Sequence, residues 1–181
     1  LAIESQPVAE WKAKALSEKN PQAALTALIV LARYGDHKTQ PELLAALDRI
    51  PMTSLSEELQ LTKMRVLALS IIRQGRPGGE STKRLMAELE SMFPNKSEAV
   101  NREAMQLLVS LQSTKVLDKT LKLMAKATTQ EEMVHYLFHL RTLPIGFWTI
   151  DQRKEYFSYW TKDRKGYAHP DATLSWFRDV S

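Results

Sequence analysis

The 181-residue chain contains no cysteine. That absence excludes disulfides, thiolate nucleophiles, cysteine-ligated zinc or iron–sulfur centres and any Cys-x-x-Cys-His attachment of haem. It leaves oxidising and reducing compartments equally open. Long apolar runs are missing too. The longest, residues 23–32 interrupted by Thr26, is about half of the ~20 residues needed to span a bilayer, so no membrane insertion is expected. The chain opens on Leu1 without a basic-then-apolar leader, and is expected to be a fragment or processed product of something longer. There is no GxSxG elbow, no DxD cluster and no sustained alternation of period two. The glycines of residues 73–79 follow a helical pattern rather than a strand, so they do not read as a phosphate cradle.

An apolar content of 44% with 25% charged residues is ordinary for a folded domain and argues against disorder. The net charge of +4 is spread along the chain. It permits an anionic partner without pointing to one.

Apolar residues recur at three and four positions throughout, which predicts helix after helix. Asn20 before Pro21 starts one helix and Gly35 stops it. Thr39 and Pro41 open a short helix that ends near Pro51. Ser54 with Glu57 has capping-box spacing for a long helix ending at Gly75, and Gly78-Gly79 precedes a helix over 80–92. Asn95 with Glu98, Thr128 with Glu131 and Thr149 with Gln152 repeat the capping-box spacing, and Ser113 or Thr114 is placed to cap a helix between the first two. Nine helical segments with short connections follow, so successive helices are expected to pack antiparallel.

The pattern also repeats. Segments 31–35 (LARYG), 71–75 (IIRQG), 109–113 (VSLQS) and 138–142 (FHLRT) each close an apolar helix, at intervals of 40, 38 and 29 residues. Two helices per ~40 residues is the HEAT/armadillo period. The expected fold is therefore all-α, a HEAT/armadillo-like α-solenoid of about four helix pairs. HEAT-like repeats would occupy 1–145, and aromatic-rich capping helices of the same domain 146–181.

Four groups of residues invite a functional reading. Glu131, His135 and His139 share one helix face at spacings of four and could offer an oxygen and two nitrogens to zinc; no further ligand is supplied, and Glu131 also suits a helix start. Lys115, Lys119, Lys122 and Lys126 form a stripe that a phosphate backbone could follow, although Asp118 interrupts it and lysine stems equally cover apolar edges. Aromatic residues concentrate in the last third, among them Trp148, Tyr156, Phe157, Tyr167 and Trp176. They could stack on bases but suit the closing of a helical stack better. Trp148, just before Thr149, fits a hydrophobic staple. Paired carboxylates such as Glu57-Glu58 sit at helix starts, where the macrodipole already favours them.

From residue 101 to about 179 the sequence resembles the helical repeat region of planctomycete-type membrane-bound dehydrogenase or haem-binding proteins. The likeness rests on Asn101-Arg102-Glu103, on residues 129–136 (TQEEMVHY), and on residues 148–153 (WTIDQR) leading into Tyr156-Phe157. Where that family tends to a Gly-Gly-His-Ser loop, this chain reads Gly166-Tyr167-Ala168-His169-Pro170 before Trp176-Phe177, without the second glycine and the serine. The resemblance implies a periplasmic or secreted setting and a role as interdomain segment of a larger redox-type protein, with any haem held elsewhere.

Taken together, the sequence predicts a non-catalytic helical-repeat scaffold that contacts protein or neighbouring domains, with no cofactor of its own. Candidate surface residues are Lys115, Lys119, Lys122, Lys126, Trp148 and His169. The competing expectations are a HEAT-like nucleic-acid-binding solenoid, similar to the helical DNA glycosylases and working through a basic face, and a metalloenzyme built on Glu131, His135 and His139.

Overall fold

A computed structural model describes residues 5–161, with side chains through residue 159. The described residues form nine α-helices and no strand. They are α1 (Val8–Ser17), α2 (Pro21–Tyr34), α3 (Gln40–Asp48), α4 (Glu57–Gln74), α5 (Glu80–Met92), α6 (Glu98–Ser110), α7 (Val116–Met124), α8 (Gln130–Leu140) and α9 (Ile150–Thr161). Two single 3-10 turns, Met52–Ser54 and Ile145–Phe147, punctuate the connections. The all-α class expected from the periodicity is what forms. No helix among the described residues is long and apolar enough to cross a membrane.

Packing divides the chain into two compact units, the first ending at Ser113 and the second beginning at Thr114. The boundary expected between 145 and 146 falls within the second 3-10 turn, inside the second unit.

In the first unit α2 packs on α4 and α4 on α6, while α1 packs on α3 and α3 on α5; α1 with α2, α3 with α4 and α5 with α6 join the two rows. The core is aliphatic, with Leu25, Leu28 and Leu31 of α2, Leu43 and Leu47 of α3 and Met64 of α4 wholly buried. Each such side chain contributes roughly 1.5–3 kcal/mol by leaving water.

The recurrent pentapeptides close α2, α4, α6 and α8, each by local chemistry. The Gly35 N–H donates to the Leu31 carbonyl at 2.8 Å. A Cβ at Gly35 would lie 2.6 Å from that oxygen, so the close approach requires glycine. Gly75 turns the chain left-handed at φ 88°. After α6, Gln112 takes the left-handed position at φ 59° and the Ser113 N–H reaches back to the Leu108 carbonyl at 2.8 Å, the wrap of a Schellman ending.

Two polar clusters pin the first unit together. The Gln40 amide donates to Ser70 Oγ (3.1 Å) and to the Gly75 carbonyl (2.8 Å), while Gln74 donates to the Gly35 carbonyl (3.2 Å), so the stops of α2 and α4 are tied to the start of α3. Lys63, in the middle of α4 and only 1% exposed, donates to the Ile50 carbonyl and to Glu88 Oε2, both at 2.6 Å. The other Glu88 oxygen accepts the Met52 N–H at 2.6 Å. Burial pushes the Lys63 ammonium below its ordinary range, and Glu88 opposes that shift.

Four expected caps move. Ser56 rather than Ser54 caps α4, accepting the Leu59 N–H at 3.4 Å, because Ser54 is taken up by the 3-10 turn and its hydroxyl donates to the Pro51 carbonyl. Ser97 rather than Asn95 caps α6. Asn95 instead exchanges hydrogen bonds with Asn101, receiving its amide on the backbone carbonyl at 2.9 Å. Thr129 rather than Thr128 caps α8, accepting the Glu132 N–H at 3.2 Å. Neither Ser113 nor Thr114 caps α7: Lys115 occupies that position without a side-chain cap, and the buried Ser113 hydroxyl donates to Glu90 at 2.6 Å. Asn20 and Thr149 cap where expected.

In the second unit α7 packs on α8 and α9. Leu121 and Met124 of α7 and Tyr136, Leu137 and Leu140 of α8 fill its core, and Tyr156 and Tyr159 of α9 are each 5% exposed.

Candidate functional site, a cationic aromatic cleft between helices eight and nine

The corner between α8 and α9 is built by four local devices. Tight turns at residues 141–143 follow α8, Pro144 precedes the 3-10 turn, and the Trp148 N–H closes that turn on the Ile145 carbonyl at 3.1 Å. Thr149 and Gln152 then form both halves of a capping box. The Gln152 N–H donates to Thr149 Oγ1 at 3.2 Å, and the Thr149 N–H donates to Gln152 Oε1 at 2.8 Å. The Gln152 amide also donates to Asp118 of α7, which anchors the start of α9. Finally, the Tyr156 hydroxyl donates to the Leu137 carbonyl at 3.0 Å, holding α9 to α8 from inside.

Trp148 sits at the hinge of this corner. Its indole N–H donates to the Leu143 carbonyl at 3.4 Å, and its ring meets the Tyr156 ring edge to face. A hydrophobic staple would bring Trp148 to the fourth residue of α9, Arg153. The ring contact lies three residues further along, on Tyr156, whose ring in turn meets Phe157 at 5.3 Å. At the other wall the Arg141 guanidinium lies 4.3 Å over the Phe138 ring and its Nε–H donates to the Phe138 carbonyl at 3.2 Å. That geometry combines cation–π attraction with a fixed orientation of the positive charge.

The result is a cleft of about 410 Å³ whose walls include Arg141, Leu143, Ile145, Trp148, Arg153 and Tyr156. Arg153 and Phe157 also line an adjoining groove of about 540 Å³ with Ile150, Lys154 and Ser158. Ile145 is 72%, Ile150 73% and Phe157 49% exposed, large apolar groups left facing water beside three cations. Among the described residues, no carboxylate, histidine or lone hydroxyl nucleophile with a base lines either hollow. The chemistry on offer is charge, hydrogen-bond donation and apolar contact.

The sequence-predicted residues distribute as follows. Trp148 lines the cleft. Lys115 precedes α7 and is exposed, Lys119 is half-buried, Lys122 is exposed and Lys126 lies beyond the helix end; none of the four lines the cleft. Asp118, which interrupts the lysine stripe, is engaged by Gln152. The His135 and His139 rings lie 4.6 Å apart on α8, while Glu131 is exposed in the first turn. Among the described residues these do not gather into a group able to hold a metal ion. Burial, then the neighbouring His135 and Arg141 charges, push His139 down to about 4, so its imidazole is neutral at neutral pH. His169, Tyr167, Trp176 and Phe177 lie outside the described residues.

Arg141 and Arg153 were not singled out by sequence. They stand twelve positions apart, and only the Pro144 corner and the 3-10 turn bring them to one hollow. The signal available was indirect: an arginine closing one helix and another just inside the next, with a tryptophan between them.

Compared with protein-family models, with curated proteins and with solved structures, the chain matches none.

Proposed function

We propose that the chain is a non-catalytic helical interaction module, with a HEAT-like α-solenoid segment as its first unit and a docking cleft in its second. The observation that carries the docking reading is the α8–α9 hollow. Arg141, Arg153 and Lys154 stand beside exposed Ile145, Ile150 and Phe157, and among the described residues no acid–base pair or nucleophile joins them. Cations around an apolar floor suit recognition, because guanidinium groups fix geometry while the apolar surface supplies the driving force. The solenoid reading is supported by the two rows α2-α4-α6 and α1-α3-α5, since stacked helix pairs contact their neighbours in this alternating way.

The likeness of residues 101 to about 179 to secreted redox-type proteins supports a further element of the proposal: the module serves as an interdomain or docking segment of a larger periplasmic or secreted chain. A complete reading frame carrying a leader, a propeller or a Cys-x-x-Cys-His segment is the expected result for that element; a frame with none of these contradicts it.

The docking reading is tested by panning a random-peptide display library on the protein and on its Arg153→Glu/Phe157→Ala variant. A consensus is expected that binds the parent protein and is lost on the variant. No consensus, or one that binds both equally, contradicts the reading.

A further inference from the structure

We propose that the occupant of the α8–α9 cleft is an acidic polypeptide segment bearing one bulky apolar side chain. Its carboxylates would be held by Arg141, Arg153 and Lys154, and its apolar group would rest against Ile145, Trp148 and Phe157. The inference deepens the interaction-module reading and rests on it.

Charge complementarity is the first argument. Among the described residues, every permanently charged group lining the two adjoining hollows is a cation, although the chain as a whole is close to balanced. Asp151 lies 3.8 Å from the Lys154 ammonium, with both side chains largely in water. An exposed pair of that length is worth little and yields to a better-placed carboxylate. Arginine presents a planar fork that matches a carboxylate with two parallel hydrogen bonds. Arg141 is oriented in advance by the Phe138 ring and carbonyl, so little freedom is lost on binding.

The second argument is the shape of the apolar surface. Ile145, Ile150 and Phe157 leave aliphatic and aromatic surface exposed beside the cations. A buried apolar anchor flanked by ionic contacts at the rim is the usual anatomy of a peptide-binding site.

The third argument separates protein from nucleic acid. Proteins that hold single strands offer successive aromatic faces on which bases stack. Here Tyr156 is 5% exposed and spends one face on Trp148, and the indole of Trp148 is held by Leu143. Among the described rings of the two hollows Phe157 is the most exposed, and the isoleucines beside it offer no π-face. An apolar side chain fits this surface better than a run of bases does.

Fluorescence anisotropy with the full chain provides the test. The probes are a fluorescein-labelled peptide of about twelve residues rich in Asp and Glu around a central Trp, the same peptide with Ala for Trp, a Lys-rich counterpart, and a thymidine oligonucleotide of equal length. The acidic Trp peptide is expected to bind tightest, to weaken about tenfold without its Trp and about tenfold on Arg153→Glu. It should change less than about twofold on Arg76→Glu, a matched charge reversal in the first unit, and should weaken as salt rises. All the altered positions are exposed, and unchanged circular dichroism checks the fold. Tighter binding of the oligonucleotide or of the Lys-rich peptide overturns the inference, as does equal binding to wild type and Arg153→Glu. If panning yields a neutral or basic consensus that still needs Phe157, the docking module stands and the acidic occupant fails. If neither panning nor any probe gives binding, both fall.

Discussion

Trp148 and Tyr156 meet edge to face, ring centroids 5.2 Å apart and planes at 72°, and so join the 3-10 turn after α8 to the second turn of α9. The pair is held at both ends, Trp148 through the Leu143 carbonyl and Tyr156 through the Leu137 carbonyl. A cleft wall fixed in this way can present Arg153 and Ile145 in one arrangement rather than many.

Trp148→Ala removes the wedge, and is expected to destabilise the second unit by about 2–3 kcal/mol, below the usual range for a fully buried aromatic because the ring is half-buried. Tyr156→Phe keeps the ring contact and loses only the hydroxyl bond, an effect of about 1 kcal/mol. Hydrogen exchange of residues 114–159 followed by mass spectrometry measures both, and equal effects would show that the ring contact contributes nothing.

The revised caps make a clean comparison. Thr129→Ala should lower stability by about 1 kcal/mol, because the Glu132 N–H loses its acceptor. Thr128→Ala, one residue away, should be near neutral. Urea titrations of the two variants decide between these positions.

That one-residue shift illustrates what was legible in the sequence. Helix existence followed from apolar spacing, and Asn20, Gly35, Gly75 and the Thr149–Gln152 box were identified because each carries a local, self-contained mechanism. Where two capping candidates lie close together, spacing alone does not choose. The 3-10 turn that occupies Ser54, and the Asn95–Asn101 exchange that occupies Asn95, depend on how neighbouring backbone folds. Lys63 was illegible for a related reason. A lysine within an amphipathic helix reads as solvent-facing, and its partner Glu88 lies 25 residues on, in a different helix. Trp148 was legible as a residue of interest; Arg141 and Arg153 were not, since their convergence is a property of the corner.

The Lys63–Glu88 pair yields an asymmetric prediction. Glu88→Ala strands a buried ammonium and frees the Met52 N–H, and is expected to lose about 2–4 kcal/mol, moderated because Glu88 is itself 23% exposed. Lys63→Met replaces the chain with apolar volume and leaves Glu88 bonded to Met52, so a loss of about 1 kcal/mol is expected. Chemical denaturation of the two variants tests this; a milder effect from Glu88→Ala would contradict the reading.

His139 predicts an acid-sensitive second unit. Its folded value near 4 lies below the ~6.5 of an unfolded histidine, so the unfolded state binds the extra proton between those values. Stability is then fully present above pH ~6.5 and declines as pH falls toward 4. The loss should be about 1–2 kcal/mol, reduced from the full linkage value because the half-buried ring is partly screened by solvent. His139→Gln should flatten that part of the stability-versus-pH curve, and an unchanged slope would contradict the assignment.

The most direct measurement of the docking account is site-specific photo-crosslinking. A photoreactive phenylalanine analogue replaces either Ile145 at the cleft or Ile72 on α4, both highly exposed at 72% and 75%, and each protein is irradiated with the acidic Trp peptide. The account predicts an adduct from position 145, abolished by Arg153→Glu, and none from position 72. Adducts of equal yield at both positions, or at position 72 alone, would contradict it.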